Sequence, residues 1–209
     1  MNVLSLFDGI SVGYLALKNL NLPITNYYAS EIDKNAIKVS NHHFPKIQHL
    51  GPVKEVFLEN LPKIDLLIAG SPCQGFSKAG NQLNFNDHRS KLFFEYVRLK
   101  TETNPTYFLL ENNPMKKEYQ DVISSYLGVE PIKINSKLLS AQNRNRLYWT
   151  NIPTFQPIDQ KVFLKDIIGD YQGIWVYPRG YNKGGIQSQL GNTISSTSRT
   201  TSNTTYRIY

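Results

Sequence analysis

The chain of 209 residues carries 23 Lys and Arg against 16 Asp and Glu, giving a formal charge of +7 and a pI of about 9.3. One cysteine excludes an internal disulfide framework and a CxxC metal site. No apolar run reaches the roughly 18 residues of a membrane-spanning helix, and the N-terminus lacks the basic start and cleavage site of a signal peptide. The expectation is a soluble, intracellular protein that folds without staples, whose basic balance suits a polyanionic partner. The four histidines, His42, His43, His49 and His88, show no metal-ligand spacing, and no metal is expected.

Val3 to Phe7 alternates and is bounded by Asp8-Gly9, which reads as a strand, and a helical pattern follows from Val12 to Leu20. Tyr27 to Ser30 reads as a second strand ending at Glu31, and Ala36 to His43 as a helix stopped by Pro45, with His42-His43 at its end. A short strand is expected within Ile47 to Leu50. Ile64 to Ala69 is apolar and short, in the manner of a parallel strand covered on both faces. Ser90 to Lys100 is amphipathic through Leu92, Phe93, Tyr96, Val97 and Leu99. Tyr107 to Leu110 is the next buried strand, ended by Glu111. A helix around Lys116 to Leu127 and strands around Ile132 to Leu139 and Arg146 to Thr150 complete an alternating α/β pattern, which predicts a doubly wound, mostly parallel sheet.

After Pro153 the texture changes to Pro, Gly, Gln, Ser, Thr and Asn, with only Val162 to Ile168 helical in pattern. A boundary is therefore expected between 1–153 and 154–209. By composition alone, Ser195 to Tyr209 reads as a disordered tail.

Two places carry chemistry. In the first strand-to-helix turn, Gly9 and Gly13 allow a ligand to approach the backbone at a helix N-terminus. Glu31, 22 residues beyond Gly9, is placed to accept hydrogen bonds from ribose hydroxyls. The spacing is not the full dinucleotide fingerprint, and an adenosine-bearing cofactor fits better than NAD; ordinary turn chemistry is the alternative. In the second place, Leu66 to Ala69 delivers Cys73 into the polar loop Gly70-Ser71-Pro72-Cys73-Gln74-Gly75-Phe76-Ser77. A thiol just past a strand end is placed as a nucleophile, while a lone cysteine otherwise reads as a small buried hydrophobe. Residues 75–89 read either as a solvated loop or as a lid.

Phe7-Asp8-Gly9-Ile10-Ser11-Val12-Gly13, Gly70 to Ser77, Glu111-Asn112-Asn113 and Gln142-Asn143-Arg144-Asn145-Arg146 occur in the order and spacing of four motifs of the DNA cytosine-5 methyltransferases, which residues 1 to about 152 resemble. Ser5 to Gly9 looks more like the animal de novo branch than the usual bacterial form. The resemblance implies a Rossmann-like methyltransferase fold, S-adenosylmethionine as cofactor and double-stranded DNA as substrate. By resemblance, Phe7, Asp8, Gly9, Gly13, Glu31, Ile32 and Pro72 bind the cofactor. Cys73 adds to carbon 6 of a flipped-out cytosine, Glu111 touches the ring nitrogen, Arg146 holds the carbonyl oxygen, and Arg144 supports the loop or a phosphate. Both arginines read otherwise as ordinary edge-strand cations. Gln74, Ser77, Gln142, Arg179, Lys183 and Arg199 are the candidate substrate or DNA contacts, with 1–153 catalytic and 154–209 a partial target-recognition region. A cytoplasmic prokaryotic or phage setting is expected, with the nucleus as the alternative.

Two departures from the family pattern stand out. Where the family has Gly-Asp reading the adenine amino group, this chain has Leu50-Gly51-Pro52-Val53, and Pro52 cannot make that contact. The family's Glu-x-x-Arg-Leu helix and returning Gly-Asn-Ser segment have no counterpart here. The expectation is a fragment, a degenerate copy, or half of a split enzyme completed by a second polypeptide. A catalytically silent DNA-binding remnant and a transfer-RNA cytosine-5 methyltransferase are the alternative readings.

Overall fold

The computed structural model describes residues 1–70, 91–163 and 166–167, and the backbone of three strands at 174–176, 185–187 and 207–208. In chain order the elements are β1 (Asn2–Leu6), α1 (Val12–Asn19), β2 (Asn26–Ser30), α2 (Lys34–His43), β3 (Gln48–His49), β4 (Leu66–Gly70), α3 (Lys91–Thr103), β5 (Tyr107–Asn112), α4 (Lys117–Leu127), β6 (Ile132–Asn135) and β7 (Asn145–Thr150). They form a seven-stranded sheet in the order β3-β2-β1-β4-β5-β7-β6. β1 pairs in parallel with β2 and β4, β2 with β3 and β4 with β5, whereas β7 runs antiparallel to β5. This is the mostly parallel α/β sheet expected from the alternating pattern.

Chain contacts divide the protein into two units, Met1–Ile132 with Arg146–Thr154, and Lys133–Asn145 with Phe155–Tyr209. In the first unit the strands bury both faces, as their near-continuous apolar runs require. Leu4, Leu6, Leu67, Leu110 and Trp149 join Phe93, Tyr96 and Leu99 of α3 and Ile123 and Leu127 of α4 in one cluster. Val3, Tyr27, Ala29 and Leu66 form the other, covered by Tyr14 and Leu17 of α1 and by Phe44. Trp149 is fully buried and its indole N–H donates to Ser124 Oγ at 3.0 Å, so the largest core side chain carries no unsatisfied donor.

Local chemistry sets the helix ends. Asp33 caps α2, accepting from the backbone N–H groups of Asn35 and Ala36 at 2.8 and 3.3 Å. Gly128, at φ +74°, closes α4 in the left-handed conformation that a Cβ disfavours.

Several boundaries differ from the sequence reading: β4 starts at Leu66 rather than Ile64, and α2 at Lys34 rather than Ala36. β5 continues through Asn112, because Glu111 and Asn112 find ladder partners in Tyr148 and Leu147 of β7. β6 stops at Asn135 rather than Leu139, since the Asn135 side chain accepts from the N–H groups of Lys137 and Arg144 and turns the chain into a 3-10 turn at Ser136–Leu138. α3 runs on to Thr103.

In the second unit, Gln156 Nε2 donates to Lys133 O at 2.8 Å and Gln160 N donates to Leu138 O at 2.8 Å. These bonds group 133–145 with the residues after 154, a segment that the reading at 153 had left with the first part. β8 (Ile174–Val176), β9 (Gly185–Gln187) and β10 (Arg207–Ile208) form an antiparallel sheet in the order β10-β8-β9. Residues 207–208 are therefore paired strand, not tail; of the helix expected at Val162 to Ile168, only Asp166 and Ile167 are described as helical.

Candidate active site

Strand connections reverse direction between β1 and β4, since β2 and β3 lie on one side of β1 and β5 on the far side of β4. Such a switch point opens a crevice at the carboxyl ends of the two strands. The β1–α1 turn occupies the β1 side. Phe7, Gly9 and Ser11 all adopt positive φ, at 57°, 61° and 64°. Two of these are not glycine, and the turn is held by its own hydrogen bonds. Asp8 is the hub: Oδ1 accepts from Ser5 Oγ at 2.5 Å and Tyr27 OH at 2.7 Å, and Oδ2 accepts from Ser11 Oγ. The carboxylate thus turns inward and organises the turn. Burial, and then the Asp8 charge, holds the Tyr27 hydroxyl protonated far above the ordinary tyrosine range.

Gly9 N donates to Glu31 Oε2 at 2.8 Å, while Glu31 Oε1 accepts from the N–H groups of Ile32 and Asp33 at 2.7 and 2.9 Å. One carboxylate therefore ties the β1–α1 turn to the β2–α2 turn and keeps a lone pair on Oε2 for a ligand. A Cβ built on Gly9 meets nothing within 4 Å, so the backbone there faces open space. Ile32 is 72% exposed, an apolar side chain displayed beside Glu31. Gly13 works differently: a Cβ there would lie 2.5 Å from Ile68 Cδ1 and 3.0 Å from the Tyr27 hydroxyl, so this glycine lets α1 sit close on the sheet. At the site of the first departure, Gly51 takes φ +77°, its carbonyl accepts from Ser30 Oγ at 2.8 Å, and Pro52 precedes the 3-10 turn Val53–Glu55.

The β4 side carries the charged pair. Gly70 and Glu111 are ladder partners, and a Cβ on Gly70 would lie 3.4 Å from Glu111 Oε2. Glu111 faces Tyr148 across the β5–β7 ladder, which brings Arg146, two residues along, to the same face as a diagonal neighbour. Arg146 Nε meets Glu111 Oε1 at 2.5 Å with both side chains mostly covered, at 17% and 28% exposure. Glu111 and Arg146, separated by α4 and β6 in sequence, are thus brought together.

Arg144 and Gln142 belong to the second unit. There the Arg144 backbone carbonyl accepts from Ser136 N at 3.0 Å and the Gln142 carbonyl from Ser136 Oγ at 2.7 Å. Pro72, Cys73, Gln74, Ser77, Arg179, Lys183 and Arg199 lie outside the described residues. Among the described residues no cluster of His, Cys, Asp or Glu could hold a metal ion, and no helix is long and apolar enough to cross a membrane. The Ser5, Ser11 and Tyr27 hydroxyls were not foreseen as partners of Asp8, although Ser11 lies within the turn read at Phe7 to Gly13. The alternation in β2 gave the only signal, by directing Tyr27 toward the α1 face.

The profile of C-5 cytosine-specific DNA methylases matches residues 1–154. The orphan methyltransferase M.SPRI of Bacillus phage SPR is 36% identical over 161 residues, covering 71% of this chain and 37% of its own length. The type II methyltransferase M.FnuDI of Fusobacterium nucleatum is 32% identical over 195 residues, covering 81% of this chain and 55% of its own. This chain spans about a third of the length of the first two curated relatives it matches, at 37% and 32%. A solved structure described as a prophage-encoded DNA modification methyltransferase (E. coli) superposes with a TM-score of 0.65 at 26% identity, over 86% of this chain and 58% of that one. The S. pombe Dnmt2 methyltransferase, at 23% identity and TM-score 0.55 over 76% of this chain and 54% of that one, shares the fold. With four motifs in register and a match across most of its length, the chain belongs to the C-5 cytosine-specific DNA methylase family.

Proposed function

We propose that this chain forms the catalytic part of an enzyme that methylates carbon 5 of cytosine in double-stranded DNA. The observation that carries the reading is the Glu111–Arg146 pair at 2.5 Å, set across the ladder from Gly70, one residue before the segment Ser71-Pro72-Cys73-Gln74.

The open backbone at Gly9, the fixed carboxylate of Glu31 and the exposed Ile32 fit an adenosine-bearing cofactor, with Phe7, Gly13 and Pro72 around it. S-adenosylmethionine supplies an electrophilic methyl group when bound there. Carbon 5 of cytosine is a poor nucleophile, and the Cys73 thiolate overcomes this by forming a bond to carbon 6, which moves ring electrons onto carbon 5. A proton shared between Glu111 and the ring nitrogen offsets the electron density that the thiolate brings to the ring, a contribution of about 10²–10⁴ in rate. Arg146 holds both Glu111 and the carbonyl oxygen of the base. With the methyl group on carbon 5, loss of that carbon's proton to solvent water lets the carbon 6–sulfur bond break, which restores the ring and releases the thiolate, so no group of the protein is consumed. The base must leave the helix to reach the thiol, at a cost of a few kcal/mol.

Residues 1–153 form the catalytic part and 154–209 the recognition region, with Arg144, Gln74, Ser77, Gln142, Arg179, Lys183 and Arg199 as DNA contacts. A second polypeptide segment covers α1. No residue of that helix is fully buried, and Ile10, Val12, Leu15, Leu20 and Leu22 on and beside it are exposed.

The test is a trapping reaction with S-adenosylmethionine and duplex DNA containing 5-fluorocytosine, whose fluorine cannot leave as the proton does. A covalent adduct that disappears in Cys73→Ser is expected. Absence of an adduct, also with the matching segment of a relative supplied, would leave a silent DNA-binding protein. Labelling of transfer RNA in preference to DNA would reassign the substrate.

A further inference from the structure

The turn that carries Gly9 is anchored by more than its own residues. Ser11, the residue before α1, is fully buried, and its Oγ lies 2.6 Å from Ser40 Oγ on α2. Ser40 Oγ, also in a fully buried residue, lies 3.3 Å from His49 Nε2 at the end of β3. Proton accounting fixes the direction of this row. Ser11 spends its one hydroxyl proton on Asp8 Oδ2, so Ser40 must donate to Ser11 and is left able only to accept from His49. The imidazole therefore carries a proton on Nε2. Its Nδ1 is buried with no partner among the described residues, consistent with a ring positioned for the Nε2 bond alone.

We infer that His49, acting through Ser40 and Ser11, is a positioning residue that holds the β1–α1 turn in its three-positive-φ form. The inference rests on the cofactor reading of that turn in one respect only, that a turn so held binds S-adenosylmethionine better. Donors aligned head to tail toward one carboxylate strengthen one another, so the outermost member is felt at Asp8. α2 and β3 thereby set the shape of a turn they do not touch through backbone bonds.

The test compares His49→Leu, which removes the donor, with His49→Gln, which retains a side-chain N–H at similar reach, and with Ser40→Ala, which breaks the row in its middle. Calorimetry on the folded proteins should show S-adenosylmethionine or S-adenosylhomocysteine bound about tenfold more weakly by His49→Leu and Ser40→Ala. Binding should return to within about threefold in His49→Gln, and the double variant should be no worse than Ser40→Ala alone. A general loss of packing would instead lower Tm in all three with no rescue. Independently of any cofactor, nitrogen NMR of the wild-type chain should find the neutral His49 proton on Nε2, and amide exchange at Gly9 and Ser11 should quicken in His49→Leu but not in His49→Gln. A proton on Nδ1, equal binding by His49→Leu, or unchanged exchange at both amides would overturn the inference. Wild-type protein that fails to bind either nucleoside while showing the expected tautomer and exchange would refute the cofactor reading and leave the relay standing.

Discussion

Replacing Gly13 with alanine places a methyl group 2.5 Å from Ile68 Cδ1, about 1 Å inside ordinary carbon–carbon contact, and 3.0 Å from the Tyr27 hydroxyl. Ile68 can escape only by leaving its rotamer against the α1-side cluster, a cost of about 0.5–1.5 kcal/mol. Tyr27 is pinned by its 2.7 Å bond to Asp8, and shifting it weakens a hydrogen bond to a charged group, which contributes about 1.5–3 kcal/mol. Alanine's greater helix propensity returns at most about 1 kcal/mol at this second position of α1. The expected net loss is about 1–2 kcal/mol, read as a lower urea midpoint with unchanged slope and a Tm lower by roughly 2–8 °C. In an Ile68→Val background the offending Cδ1 is gone and only the Tyr27 contact remains, so the same substitution should cost about 0.5–1.5 kcal/mol less than in the wild type. A Gly13→Ala chain as stable as the wild type, or one that loses as much in the Ile68→Val background, would refute the close-packing argument.

Tyr27→Phe removes one of three hydroxyl donors to Asp8 and should lower stability by about 1–2 kcal/mol in denaturant titration. Tyr96→Phe should leave stability unchanged or raise it by about 0.5 kcal/mol, because the Tyr96 hydroxyl is buried with no partner among the described residues. Burial pushes both hydroxyls up from the ordinary tyrosine value of about 10, so the folded chain keeps protons that the unfolded chain releases. Their contribution to stability is therefore complete below about pH 10 and lost as pH rises above it, and urea titrations between pH 9 and 11 should show a shallower alkaline decline in either phenylalanine variant. Glu111→Gln keeps the shape of the site but removes the charge that faces Arg146; trapping of 5-fluorocytosine DNA should slow by about 10²-fold or more, measured by adduct accumulation.

The order and kind of the main elements were legible because buried parallel strands are short apolar runs and the helices between them are amphipathic: the runs read at Ile64 to Ala69 and Ser90 to Lys100 fall on β4 and α3 with ends shifted by one to three residues. Glu31 was legible from spacing, since an acid at the end of the second strand sits beside the first turn in any such sheet. Other features depend on lateral facts that no periodicity carries. The register that places Arg146 diagonal to Glu111 arises from an antiparallel pairing, and a period of two does not reveal which strand will be the neighbour. Asp8 entered the cofactor set by resemblance alone, and no pattern in the sequence announces that its carboxylate accepts from Ser5, Ser11 and Tyr27, hydroxyls contributed in part by another strand. β10 was hidden because Arg207 and Ile208 sit at the end of a Ser/Thr/Asn-rich stretch whose composition outweighs two residues of pairing.

The antiparallel β5–β7 ladder has a consequence for how freely this chain can vary. Glu111 and Arg146 meet through backbone pairing at Glu111–Tyr148 and Asn112–Leu147, not through the path of the chain between them. The 136–144 connection between β6 and β7 can therefore vary in length or be exchanged for another segment without moving the acid relative to its arginine, provided the ladder re-forms. A graft that swaps that segment would keep the 2.5 Å pair, whereas a one-residue deletion inside β7 would send the arginine to the opposite face of the sheet.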